Sequence, residues 1–228
     1  MKVGIIVAME KELKFLLPLI ENKREYTERG TRFIEGKMSG HHVTVCQCGI
    51  GKVNSALSTL TLIEQFSPDL VINTGVAGGA DKSMHVLDLF IAKGVAYHDV
   101  WCGPGTEYGA AHGFDVILKP AEKICRIAGD LLPAGEKTKF GLICSGDKFI
   151  TTAEEIKEIK NHFPEAVAVD MESASIAQVC VLKGVPFNII RVISDTPGEN
   201  ENISQYENFW SDAPRETFEA LKMILKKL

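Results

Sequence analysis

The stretch VAVDMESASIAQVC, residues 167–180, starts as an apolar run with the continuity of a strand buried on both faces, then passes into a helical pattern. Asp170 and Glu172 flank Met171 at the changeover, so the edge of the core carries two carboxylates. The same strand-then-helix unit recurs on both sides of it. VGIIVAM (3–9) precedes the helical spacing of EKELKFLLPLIEN (10–22). TRFIEGKMSGHHVTVCQC (31–48) reads as two strands around a Gly-containing turn, and GIG (49–51) opens a helix over 52–66. SPDLVINTGVAGGA (67–80) supplies a turn, a buried strand and a glycine loop.

Further on, residues 88–100 read as strand and WCGPGTEYGAAHGF (101–114) as a long Gly/Pro-rich loop. Then come a helix over 121–132, a strand over 139–146, a helix over 153–163, the opening stretch itself, a strand over 186–195 and a final helix over roughly 211–228. Alternation of this kind predicts an α/β fold with a mixed, largely parallel sheet wrapped by helices. No repeat, low-complexity tract or linker divides the chain, so residues 1–228 are expected to form a single domain.

The bulk numbers narrow the function. With 45% hydrophobic and 24% charged residues, the 228-residue chain has the composition of an ordinary globular protein. Its net charge of −5 argues against nucleic acid as a partner, because phosphate binding needs clustered Lys and Arg. The cysteines, Cys46, Cys48, Cys102, Cys125, Cys144 and Cys180, include no CxxC pair and no histidine spaced to complete a zinc site. They point to a reducing, cytoplasmic compartment. The opening apolar run ends in charge at Glu10 and Glu12 and reads as a first strand rather than a signal peptide. No segment reaches the about 20 apolar residues of a membrane span.

Parallel sheets place ligand sites beyond the carboxyl ends of their strands. Several strand ends here carry chemistry: Met9 leading to Glu12, the GIG turn, TGVAGG, SGDKFI, VDMES and ISD. The glycine loops resemble phosphate binders only superficially. CGIGKVN lacks the first glycine and the Ser/Thr of a P-loop, and Asn54 stands where a dinucleotide fingerprint needs its third glycine. A tight turn whose backbone approaches a ligand remains, and TGVAGGA reads either as a plain connection or as the floor of a sugar site.

Together, VAVDMESASIA, VINTGVAGG, CSGDKFI and VISD, in this order between MKVGIIVAMEKE and QYENFW, resemble the nucleoside phosphorylase and nucleosidase superfamily. Within it the chain is most similar to the bacterial 5′-methylthioadenosine/S-adenosylhomocysteine nucleosidase family. The resemblance covers nearly the whole chain and implies a three-layer domain with a central, mixed, partly closed sheet, assembled as a homodimer. It implies N-glycosidic hydrolysis that releases adenine and a 5′-thio-ribose, with no metal or organic cofactor and a small nucleoside as the only other partner.

It also assigns roles. Glu172 would accept the ribose 2′- and 3′-hydroxyls, which suits a carboxylate with two accepting oxygens, while the Met171 backbone packs beneath the sugar. Asp195 would be the general acid toward purine N7, oriented by Ser194, and Glu12 would hold and deprotonate the attacking water. Arg191 would help hold that nucleophile. Phe149 would stack on adenine and the Ile150 backbone would read its edge. Met9, Ile50, Val76, Ala77 and Gly78 would line the ribose and 5′ region, although Met9 and Ile50 fit plain core equally well. Asp170 replaces the family's usual glutamate and reads as structural support.

Phosphorylases of the superfamily carry a GDPxR-type loop after the first strand, where this chain has AMEKE. An anion at Glu12 repels phosphate and accepts a proton from water, which favours hydrolysis over a phosphorylase. Two departures keep a catalytically weak nucleoside sensor in view as well: Val76 replaces a common serine, and the 98–114 loop lacks the usual partner-covering pattern. In that loop Trp101 and Phe114 read either as replacement apolar surface for the 5′ pocket or as core, core packing being the expected role for both. Tyr206 and Phe209 are candidate lid residues.

Overall fold

A computed structural model describes residues 1–132, 135, 137–198, 202–212 and 218–228. Its centre is a mixed sheet of nine strands. These are β1 (Lys2–Val7), β2 (Glu21–Glu28), β3 (Thr31–Met38), β4 (His41–Gln47), β5 (Leu70–Gly79), β6 (Leu89–Tyr97), β7 (Thr138–Ser145), β8 (Ala166–Asp170) and β9 (Phe187–Asp195). The spatial order is β2-β3-β4-β1-β5-β8-β7-β6-β9, and β9 also pairs with β5. Strands β5, β8, β7, β6 and β9 therefore close on themselves, while β2, β3, β4 and β1 extend the sheet from the side of β5. This is the partly closed mixed sheet the resemblance implied.

Strand alternation explains the layers. Along β1, β5 and β9, neighbouring residues point to opposite faces. Ile6, Val71 and Ile189 join one buried cluster, and Ile5, Ile72 and Ile190 join another. The first cluster is covered by α2 (Lys52–Phe66) and α5 (Ser173–Lys183) through Leu62, Ile63, Ile176 and Cys180. The second is covered by α1 (Glu10–Leu16), α3 (Glu122–Leu131) and α7 (Glu219–Leu225) through Leu13, Leu16, Ile124, Leu221 and Ile224. Each fully buried isoleucine contributes about 1.5–3 kcal/mol, so the continuous apolar strands are what hold helices on both faces.

Several expectations need correction. The first helix ends at Leu16 rather than running to residue 22, because Pro18 cannot supply a helical N–H and shapes a short 3₁₀ turn, Leu17–Leu19. The chain then forms β2, a strand the sequence reading lacks: it is polar, mostly exposed and lies at the sheet edge. TGVAGG is not a loop, since β5 runs through Gly79 in register with β9 and β8. Of the helix expected over 211–228, the described residues form α7 (Glu219–Leu225), with 213–217 outside them, and a helix the sequence reading lacks, α6 (Asn202–Asp212), precedes it. Trp101 is 57% exposed rather than core, whereas Phe114 does pack against the first buried cluster. Among the described residues, no helix is long and apolar enough to cross a membrane.

Candidate active site

The ends of β1, β5, β8 and β9 open on one cleft. Met9, Glu12, Ile50, Val76, Ala77, Gly78, Phe149, Ile150, Met171, Glu172, Ser194 and Asp195, all singled out by the resemblance, line it. Three of them are buried carboxylates from three elements: Glu12 in the first turn of α1, Glu172 at the N-cap of α5, and Asp195 at the end of β9.

Glu12 is fixed by backbone. Its Oε2 accepts from the Ala8 and Met9 N–H groups (2.8 and 2.9 Å), and its Oε1 accepts from Val76 N–H (3.0 Å). A carboxylate has about four acceptor sites, so roughly one is left for a further donor. Burial pushes its carboxyl above the usual carboxylate value, and the Arg191 guanidinium and the three backbone donors pull it back. Such a group is a stronger base than an exposed glutamate. The approach needs Gly75: at φ +152° a Cβ there would collide with Glu12 Oε1.

Glu172 reaches toward the GIG turn, where Gly51 N–H donates to its Oε1 (2.9 Å). Gly51 adopts φ +94°, a conformation open to glycine, and this turns its amide toward Glu172 while starting α2. Burial, then the nearby Asp170 charge, hold the Glu172 carboxyl well above its ordinary value. Asp195 accepts from Ser194 Oγ at Oδ1 (2.6 Å) and from Asn202 Nδ2 at Oδ2 (2.5 Å). Burial raises its pKa and these two hydrogen bonds oppose the rise.

Two expected residues sit elsewhere. Arg191 lies behind the cleft wall, donating from Nη2 to Asp170 Oδ2 (2.6 Å), to Ser173 Oγ (3.0 Å) and to Asn73 Oδ1. It reaches Glu12 through its charge and not through a hydrogen bond. Phe209 is buried away from the cleft, so of the two lid candidates only Tyr206 lines it. Asp170 touches the cleft wall, but its oxygens are taken by Arg191, Ser145 and Ser173, which makes it the support the sequence reading favours.

The far wall is aromatic. Phe149 is 44% exposed, and its ring meets Tyr206 edge-on at 5.3 Å. Tyr206 OH also donates to Met9 Sδ (3.4 Å).

A profile of the phosphorylase superfamily matches residues 2–226. A 5′-methylthioadenosine/S-adenosylhomocysteine nucleosidase of Lysinibacillus sphaericus is 38% identical over 227 residues, covering 98% of this chain and 99% of the relative. The solved nucleosidase of that name from S. pneumoniae, bound to the transition-state inhibitor MT-ImmA, superposes with a TM-score of 0.94 at 34% identity, covering 99% of both chains. The chain belongs to the 5′-methylthioadenosine/S-adenosylhomocysteine nucleosidase family. The futalosine hydrolase of Helicobacter pylori also matches, with a TM-score of 0.90 at 29% identity over 100% of this chain and 98% of its own.

Against this nucleosidase frame, sequence reasoning missed Asn202 and Lys148. Lys148 lines the cleft mouth and is paired with Glu155 at 2.6 Å. Asn202 follows the turn-rich run TPGENE, which hides the start of a helix. Helical spacing of Ile203, Tyr206 and Trp210 was the available signal.

Proposed function

We propose that this protein hydrolyses the N-glycosidic bond of 5′-methylthioadenosine and S-adenosylhomocysteine, releasing adenine and the 5′-thio-ribose. The observation that carries the reading is the convergence of Glu12, Glu172 and Asp195 on one cleft, each buried and each with separate partners. In this reading the adenine stacks on Phe149 and the ribose hydroxyls donate to Glu172.

Asp195 then gives its proton to purine N7, and the electron pair of the breaking C1′–N9 bond passes into the base. A neutral purine is a far better leaving group than its anion, so the proton transfer lowers the barrier for bond cleavage. Water attacks C1′ from the side of Glu12, whose free acceptor site takes the proton. Acid and base on opposite sides of an oxocarbenium-like centre follow the logic of glycoside hydrolysis. Arg191 acts at one remove, by opposing protonation of Glu12.

Water is the nucleophile rather than phosphate. Among the described lining residues the only cation is Lys148, already paired with Glu155, and Glu12 would repel an anion at the attacking position. We further propose that the enzyme is cytoplasmic, in keeping with its six free cysteines, and that it works as a homodimer. Val53 and Leu57, exposed on one face of α2 beside Ile50 (51% exposed), supply apolar surface at the cleft mouth.

Chromatography of 5′-methylthioadenosine and S-adenosylhomocysteine incubations, with and without phosphate, tests the reading. Adenine with free thioribose in phosphate-free buffer is expected. Adenine only with phosphate, accompanied by a sugar 1-phosphate, would make it a phosphorylase.

A further inference from the structure

Asn202, the first residue of α6, is 4% exposed, and its Nδ2 donates to Asp195 Oδ2 at 2.5 Å. Its Oδ1 has no hydrogen-bond partner among the described residues, so the contact with Asp195 is what the buried amide does in this structure. The other Asp195 oxygen is held by Ser194 Oγ, a neighbour on the same strand. The same helix carries Gln205, which accepts from Thr196 N–H and Oγ1 (both 2.9 Å), and Tyr206, which lines the cleft. One helix thus grips the chain on the C-terminal side of the acid, the acid itself and the aromatic wall.

We propose that Asn202 is a positioning residue for Asp195, holding one carboxyl oxygen through α6 while Ser194 holds the other. The inference deepens the proposed hydrolysis and rests on it. When Asp195 gives its proton to N7, the O–H bond breaks, N7–H forms, and a carboxylate is left in a buried site. The amide of Asn202 and the hydroxyl of Ser194 donate better to that carboxylate than to the neutral acid, so they act more strongly as the transfer proceeds. The other ionisable groups around the cleft are Glu12 from α1, Glu172 at the start of α5, Lys148 before α4 (Ala153–His162) and Tyr206 from α6. None of these donates a hydrogen bond to Asp195 among the described residues.

The test measures kcat and KM for 5′-methylthioadenosine across pH in wild type, Asn202→Asp, Asn202→Ala and Asn202→Ser. A merely structural role predicts that every folded variant keeps the wild-type kcat and pH profile, whatever its melting temperature. The positioning role predicts that Asn202→Asp loses about 10-fold or more in kcat with KM little changed, because an acceptor now faces an acceptor. It also predicts that the alkaline limb of kcat moves to higher pH, since two carboxyls sharing a site resist the second ionisation. Asn202→Ala should lose kcat similarly, and Asn202→Ser, which keeps a short donor, should fall between. Asn202→Ser also reports alone should the other two not fold. Wild-type kcat and an unmoved profile in any folded variant would overturn the role of Asn202 while leaving the hydrolysis standing. A wild-type enzyme that makes no adenine would overturn both.

Discussion

Arg191 and Asp170 form an ion pair closed off from solvent: Nη2 and Oδ2 are 2.6 Å apart, and each side chain is 2% exposed. The pair ties β9 to the end of β8, directly behind the turn that presents Glu172. Removing one member leaves the other charged and buried, which costs about 3–5 kcal/mol. Asp170→Ala should therefore lose stability on that scale in urea unfolding, and its activity should fall with it because Glu172 loses its support. A change below about 1 kcal/mol would mean the pair is not what fixes this corner.

Gly75 separates Glu12 from Arg191 at φ +152°. Gly75→Ala should displace the Glu12 carboxylate and lower kcat about 10²-fold, the usual effect of moving a reacting group by an ångström. Steady-state kinetics with a melting curve check it, and near-normal kcat in a folded variant would show that β5 yields at no cost to the site.

Glu172 is held above its ordinary value of 4.5 by burial and by Asp170. Its unfolded form loses a proton near that value while its folded form keeps one, so stability of the free protein should decline as pH rises through the window up to its raised value. Burial raises Glu12 and Asp195 in the same direction. Ribose hydroxyls donating to Glu172 favour the carboxylate, so binding of a non-hydrolysable nucleoside analogue should release a proton in that window. Calorimetry in buffers of different ionisation enthalpy measures this directly, and proton uptake would contradict the assigned contact.

Asp195→Asn keeps the shape of the side chain and cannot give a proton. It should lose about 10²–10⁴-fold in kcat while retaining the fold and analogue binding. Full activity would remove Asp195 from the chemistry.

Much of this was legible in the residues because strand ends are where a parallel sheet must put its chemistry. The runs ending at Met9, Asp170 and Asp195 were readable as continuous apolar strands, and GIG located the start of α2 at Lys52. What failed had physical causes. Strand β2 is an edge strand of mostly charged and polar residues, so it carries no buried face and no apolar alternation. Helix α6 begins inside a run of turn-forming residues. Arg191 sits upstream of Asp195 on the same strand, and only the fold shows that Asp170 draws its guanidinium behind the cleft. Trp101 lies in a loop, where periodicity says nothing about burial.

Water activation falls to Glu12, and Glu12→Gln removes that step while leaving the rest of the cleft in place. Glutamine preserves size, and its carbonyl oxygen can still accept from the Ala8 and Met9 N–H groups; its amide nitrogen then replaces the oxygen that accepts from Val76 N–H, and it cannot take the proton. We predict that kcat for 5′-methylthioadenosine falls by about 10²-fold or more while analogue binding stays close to wild type, with stability lowered by about 1–3 kcal/mol, the cost of one unsatisfied N–H. A folded variant that turns over at the wild-type rate would show that Glu12 is not the base.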